Sequence, residues 1–253
     1  MPAHKSVKLN TGAEMPTVGL GTWKSQPGVV EGAVAEALKL GYKAVDTATA
    51  YGNEAEVGRG IKDSGVDRSS IFLTTKLDNV DHKDPAKALQ FSLKALDTDY
   101  LDLWLMHWPA PMLDGKTPDK TIDWLDTWNE MVKLYKAHPD KLRAIGVSNF
   151  SVAFMKRLLA NSDVVPAVNQ VELHPACPQE DVVSFCRGKG IVNEVVKKIA
   201  DKHNVHPANI LISLQANRPG VTVVVKSVTP ERIKSNAQII DLSEEEIAEL
   251  HEH

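Results

Sequence analysis

Four side chains in this sequence could move a proton between them if they met: Asp46, Tyr51, Lys76 and His107. Each stands at or just beyond the end of a short apolar run. Asp46 closes Ala44-Val45-Asp46, and Tyr51 follows it shortly after. Lys76 closes Ile71-Phe72-Leu73-Thr74-Thr75-Lys76, and His107 closes Leu103-Trp104-Leu105-Met106-His107. These runs are too continuous to face water on either side, as expected of parallel strands covered by helices. In a parallel barrel the C-terminal ends of neighbouring strands lie close together. An ammonium at the end of a buried strand needs a partner, because unpaired burial is costly, and Asp46 provides the charge. A cation beside a phenol favours phenolate and lowers its pKa from the ordinary value of ~10. Tyr51 could then give or take a proton nearer neutral pH, while His107 orients a substrate oxygen. Taken singly, a tyrosine at such a place is usually a packed ring with a satisfied hydroxyl. The coincidence of four groups, with no Ser or Cys nucleophile beside them, points to protonation of a carbonyl that receives a hydride from elsewhere.

The elements that must position these groups alternate along the chain. Ser6–Pro16 turns around Asn10-Thr11-Gly12 and reads as a β-hairpin. Strand patterns follow at Val18–Trp23, Lys43–Ala48, Ile71–Leu77, Leu101–His107, Leu142–Val147 and Ala167–Leu173. Helical periodicity separates them at Val29–Leu40, Glu54–Lys62, Pro85–Leu96, Thr121–Ala137, Val152–Ala160 and Gln179–Lys189. Such alternation implies right-handed βαβ units and a parallel sheet. Six units without a change of composition favour one closed (β/α)8 TIM barrel, with residues 1–253 as a single domain. The seventh unit departs from the pattern. Gly190-Ile191 should lead into a strand, yet Val192–Ala200 reads as a helix. A second helix at Pro207–Ala216, a strand at Val221–Lys226 and a helix at Thr229–Ile240 follow. Only seven barrel strands can be counted, and removing one breaks shear, tilt and register together. Either the barrel has an open seam, or the chain as written lacks residues between 191 and 192. The unpaired edges of a seam favour the second.

Composition narrows the function classes. The chain has 253 residues, 43% hydrophobic and 25% charged, with a net charge of −4. No basic footprint argues for nucleic acid. The start Met1-Pro2-Ala3-His4-Lys5 lacks a secretory apolar region, and no apolar run approaches the ~18 residues of a membrane helix. Cys177 and Cys186 have neither CxxC spacing nor a paired histidine. They read as reduced thiols in a cytoplasmic protein.

A dinucleotide would supply the hydride, but no Rossmann fingerprint is present: Gly19-Leu20-Gly21-Thr22-Trp23-Lys24 fails at the third glycine. More suggestive is Lys226-Ser227-Val228-Thr229-Pro230-Glu231-Arg232-Ile233-Lys234-Ser235-Asn236. It follows the last strand and opens a helix with Pro230 near its first turn. Barrel phosphate sites often lie in the loops after the last two strands, and Arg232 suits a bidentate phosphate contact. By itself the stretch could equally be a solvated basic turn.

Together, Asp46-Thr47-Ala48-Thr49-Ala50-Tyr51-Gly52-Asn53-Glu54, Gly146-Val147-Ser148-Asn149-Phe150 and Lys226–Ile233 resemble the motifs of the aldo-keto reductases, and the resemblance covers nearly the whole chain. It implies an NADPH-dependent carbonyl reductase on a TIM barrel with Asp46, Tyr51, Lys76 and His107 as its tetrad, Tyr51 being the acid, or the base in reverse. It implies that Ser148, Asn149 and Gln170 hold the nicotinamide carboxamide. Lys226, Ser227, Arg232 and Asn236 would hold the adenosine 2′-phosphate, which favours NADP over NAD. The family's seventh strand normally carries a tyrosine that stacks on the nicotinamide, then a Ser-Pro-Leu-Gly loop over the pyrophosphate; neither occurs between Ile191 and Val192.

Trp23 and Trp108 are expected to flank the pocket, unless they serve packing alone. In related aldose reductases a tryptophan commonly stands where this chain has Asp78, so a small polar aldehyde, aldose or polyol is the expected substrate, such as glyceraldehyde or glycerol. Two rivals remain. An NADPH-binding sensor or structural protein could use the same barrel with little turnover. A metal-dependent hydrolase could draw on His107, His174 and Asp46, although no spacing supports it and Lys76 would repel a cation. Within the family both monomers and dimers occur.

Overall fold

The computed structural model describes residues 5–26, 28–172, 179–195 and 207–243. Strands β1 (Ser6–Lys8) and β2 (Glu14–Pro16) form the expected antiparallel hairpin, with Val7 opposite Met15. The other strands are β3 (Val18–Gly21), β4 (Ala44–Asp46), β5 (Phe72–Leu77), β6 (Leu103–Met106), β7 (Ile145–Ser148), β8 (Val168–Gln170), β9 (Val192–Val195) and β10 (Val221–Lys226). They pair in parallel and close, β10 returning to β3 with Lys226 opposite Gly21. The helices are α1 (Val30–Lys39), α2 (Glu54–Ser64), α3 (Pro85–Ala95), α4 (Trp124–Ala137), α5 (Val152–Ala160), α6 (Glu180–Arg187), α7 (Pro207–Ala216) and α8 (Pro230–Asn236).

Period-two patterning decides which side chains enter the barrel. Phe72 on β5 packs inside it with Ala44, Leu103, Leu105, Ala144 and Val168, above Leu9 and Met15 of the hairpin. Leu73 and Leu77 of the same strand belong to the outer core against the helices. Lys76 therefore shares the inward face of Phe72. By the same alternation Asp46 follows Ala44 inward, His107 follows Leu105, and Gln170 follows Val168. Gly146 lies on the inward row of β7, where a Cβ would stand 2.6 Å from the Val168 carbonyl oxygen and 2.8 Å from Leu105 Cδ2.

The expectation of a missing seventh strand is corrected by β9. Val192–Val195 is not the first turn of a helix: Asn193 pairs with Asn169 on β8 and with Val221 on β10. Two buried strand edges face this segment, and pairing with both satisfies backbone groups that a helix would leave orphaned. That gain overrides the helical pattern of the sequence. The barrel closes without a seam. The rest of that expected helix (196–200), the end of the strand expected at Ala167–Leu173, and Cys177 and His174 lie outside the described residues.

Two helix boundaries also differ. α4 begins at Trp124 rather than Thr121, because Asp123 caps it by accepting from the Leu125 N–H at 3.0 Å. α8 stops at Asn236 rather than Ile240. The segment beyond it is bound by side chains of α7 and the residue after it. Asn209 Nδ2 donates to the Gln238 carbonyl (3.1 Å), Asn217 Nδ2 to the Ile240 carbonyl (2.7 Å), and the Ile240 N–H donates to Ser213 Oγ (2.9 Å).

Candidate active site

The inward residues at the upper ends of β4, β5 and β6 converge. Lys76 is fully buried, and its Nζ donates to Asp46 Oδ1 at 2.6 Å, to the Thr47 carbonyl at 2.9 Å and to Tyr51 Oη at 3.3 Å. Tyr51 reaches the cluster from the 3₁₀ turn Thr49–Tyr51, which follows β4 and ends at Gly52 in the left-handed region (φ 68°). The rings of Tyr51 and His107 meet edge to face with centroids 5.7 Å apart. Burial, and secondarily the Lys76 charge, push the His107 imidazole down to a pKa of about 3. It is therefore neutral and free to exchange a hydrogen bond with an incoming oxygen.

The residues implied for the carboxamide stand beside this cluster. Gln170 Nε2 donates to Asp46 Oδ2 at 2.8 Å. Ser148 Oγ donates to the Gln170 carbonyl at 2.9 Å. Asn149 adopts a left-handed backbone (φ 62°) and donates from Nδ2 to the His107 carbonyl (3.0 Å) and Ser148 Oγ (3.1 Å). A non-glycine residue in that region is strained, and such strain gathers at functional sites. The fourth group follows β10. Ser227 and Asn236 are buried, Lys226 and Arg232 are exposed, and neither cation has an ion-pair partner among the described residues. Two amides and a hydroxyl at one place, with two uncompensated cations after the last strand, suit a carboxamide and a phosphate respectively.

Trp23 and Trp108 stand at the rim, 57% and 47% exposed, with the Lys24 ammonium 4.3 Å from the Trp23 ring centroid. Asp78 has a structural task that the sequence did not disclose: its Oδ1 accepts the Asn79 N–H at 2.6 Å and caps the turn Asn79–Asp81. Sequence reasoning also missed a buried lattice behind the tetrad. Thr22 Oγ1 lies 3.1 Å from the Asp46 carbonyl and 2.9 Å from Thr47 Oγ1, and Asn53 Nδ2 donates to the Thr22 carbonyl at 3.1 Å. The available signal was threonine and asparagine repeatedly placed at the ends of apolar runs.

Comparison with known proteins identifies the family. The model of the aldo/keto reductase family matches residues 17–193. The chain belongs to the aldo/keto reductase family. This reductase is 43% identical to the aldehyde reductase YPR1 of Saccharomyces cerevisiae over 95% of the chain and 88% of that protein. It is also 43% identical to the glycerol 2-dehydrogenase (NADP(+)) of the same yeast over 99% of the chain and 93% of the relative. The latter alignment runs over 292 positions, more than the 253 residues of the chain, so that relative carries residues with no counterpart here. Among solved structures, the Bombyx mori aldo-keto reductase in complex with NADP superposes with a TM-score of 0.89 at 31% identity, covering 100% of this chain and 93% of that one. Among the described residues no helix is long and apolar enough to cross a membrane, and no group of three or more His, Cys, Asp or Glu side chains could hold a metal ion.

Proposed function

We propose that this aldo-keto reductase uses NADPH to reduce a small polar aldehyde or ketone, of the glyceraldehyde or aldose type, and runs the reverse oxidation of the alcohol or polyol. The observation that carries the reading is Lys76 Nζ placed between Asp46 Oδ1 and Tyr51 Oη. When bound, NADPH supplies the hydride. Tyr51 gives its hydroxyl proton to the carbonyl oxygen. Lys76, held by Asp46 and the Thr47 carbonyl, stabilises the negative charge that develops on the phenol oxygen. His107, neutral, hydrogen-bonds the same carbonyl oxygen and orients it. In the reverse direction Tyr51 takes the alcohol proton.

Ser148, Asn149 and Gln170 are assigned to the nicotinamide carboxamide, and Lys226, Ser227, Arg232 and Asn236 to the adenosine 2′-phosphate. Support comes from the donor chemistry at each place and from the names of the relatives, a glycerol 2-dehydrogenase (NADP(+)) and a reductase in complex with NADP. Trp23 and Trp108 are assigned to the sides of the pocket. Asp78 is assigned to a substrate hydroxyl through Oδ2, since Oδ1 is committed to its turn. The reading treats the chain as a cytoplasmic enzyme of small molecules, and the buried thiol of Cys186 suits a reducing compartment.

Steady-state oxidation of NADPH with glyceraldehyde tests the assignment. Turnover is expected in the parent, and Tyr51→Phe should lower kcat by about 10²–10⁴-fold while NADPH still quenches protein fluorescence. Binding without turnover in the parent would favour the sensor reading. Asp78→Trp should shift kcat/KM from glyceraldehyde towards benzaldehyde; an unchanged preference removes Asp78 from the pocket assignment.

A further inference from the structure

Asp46 and Lys76 lie within strands and His107 directly follows β6, whereas the proton donor Tyr51 is carried on a separate turn. Tyr51 ends a three-residue 3₁₀ turn whose own bonds are only Tyr51 N–H to the Ala48 carbonyl and Gly52 N–H to the Thr49 carbonyl, each 3.0 Å. So short a turn does not fix its own distance from β5, where Lys76 stands. Besides the contact of Lys76 Nζ with Tyr51 Oη, two side-chain bonds tie it there. Before Tyr51, Thr49 Oγ1 donates to the Lys76 carbonyl at 3.1 Å and lies 3.1 Å from Ser92 Oγ of α3. After it, Glu54 Oε1 accepts from Thr75 Oγ1 at 2.6 Å. Because Lys76 points into the barrel, its neighbour Thr75 points out of it, so the second bond runs behind the sheet, beneath the tetrad.

Glu54 is an unusual residue for this position. It opens α2, where a glutamate ordinarily stays in water and complements the helix dipole, yet it is only 4% exposed. Its Oε2 is buried without a hydrogen bond among the described residues. Burial raises its pKa, opposed by the hydroxyls of Thr75, Ser92 and Thr49, with a small further rise from Asp81. A buried carboxyl with an unsatisfied oxygen is a poor stabiliser, which directs attention to what its other oxygen holds.

We propose that Glu54 is a positioning residue for Tyr51, clamping the turn that carries the phenol onto β5 through its hydrogen bond from Thr75 and so holding Tyr51 Oη against Lys76 Nζ. The inference rests on the proton-donor reading of Tyr51. It is decided by an observable that needs no turnover: the ionisation midpoint of Tyr51, read as phenolate ultraviolet absorbance in each variant minus the same variant carrying Tyr51→Phe. Lys76, Asp46 behind it and His107 face Tyr51 in every protein compared; Glu54→Ala and Glu54→Gln alike remove the Glu54 charge, which by itself lowers the midpoint, so Glu54→Ala is read against Glu54→Gln and Thr75→Val against Thr75→Ser. Separating the phenol from the Lys76 ammonium raises that midpoint.

Glu54→Ala is expected to raise the midpoint by about half a pH unit or more over Glu54→Gln, and Thr75→Val by as much over Thr75→Ser. Each should lower kcat about tenfold, with KM and NADPH affinity within about twofold of the parent. Glu54→Gln and Thr75→Ser keep an acceptor and a hydroxyl and should stay near the parent in kcat, Thr75→Ser in the midpoint as well. The double variant Glu54→Ala/Thr75→Val should be no worse than either single one, since both remove the same bond. A midpoint in Glu54→Ala no higher than in Glu54→Gln, a parental Thr75→Val, or additive defects would overturn the proposal. If Glu54→Ala does not fold, Thr75→Val against Thr75→Ser decides. Absent turnover in the parent would defeat the reductase reading, while the midpoints would still decide the role of Glu54.

Discussion

Two histidines near the upper end of the barrel, His82 buried and His107 partly so, are kept neutral chiefly by desolvation, with the Lys76 charge adding to the effect at His107. His107 is pushed down to about 3 and His82, whose Nδ1 lies 3.0 Å from Thr127 Oγ1, to about 4. Both native values lie below the unfolded one near 6.5. Between these limits the unfolded chain binds more protons, so stability rises with pH and is lost as pH falls below about 6.5. Each histidine contributes up to about 1.4 kcal/mol per pH unit in that window. Urea unfolding at pH 7 and pH 5 should show a clear loss at the lower pH, smaller by about 1–2 kcal/mol in His82→Asn; equal losses in the two proteins would remove His82 from this account. At this scale the tetrad was legible because each member interrupts an apolar run. Glu54 and Asn53 were not, because a polar residue at the start of a helix reads as a cap. Only the direction of Thr75, behind the sheet, reveals what the carboxylate holds. Asp78 was legible as a departure from related chains, but its capping bond was not.

Among the elements, β7 has little room for change. Gly146 turns inward between β6 and β8, with the Val168 carbonyl 2.6 Å from where a Cβ would stand. Backbone cannot yield as a flexible side chain does, so Gly146→Ala should destabilise by about 1–3 kcal/mol, the usual range for overpacking. Thermal unfolding would register it, and an unchanged Tm would show that β7 can shift. The elements that sequence patterns placed well are those whose own periodicity is decisive, such as α1, α2, α5 and β10. Those misread were decided by neighbours. β9 is a strand because two ladders await it, and the stretch after α8 is not helical because side chains from α7 and its end occupy its backbone groups. No local pattern in Val192–Val195 announces either ladder.

For the molecule as a whole, the hairpin completes the lower core. Leu9 and Met15 pack against the inner row of the barrel, and Asn10 Nδ2 donates to the Val165 and Pro166 carbonyls, both at 3.2 Å. Met15→Ala should cost about 2–5 kcal/mol, as large-to-small core changes do, while kcat per folded molecule stays parental, because the chemistry is at the opposite end. A kcat that falls with Tm still high would show that the hairpin reaches the site. At the upper end, the Asp46–Lys76 ion pair and the neutral His107 leave the floor of the mouth without net charge. An uncharged carbonyl compound is then neither drawn towards this floor nor repelled from it by a long-range field. Encounter with such a substrate should proceed at the same rate in dilute and concentrated salt, even where the grip on a phosphorylated dinucleotide weakens. Discrimination among neutral substrates in this barrel belongs to the moment of contact rather than to the approach.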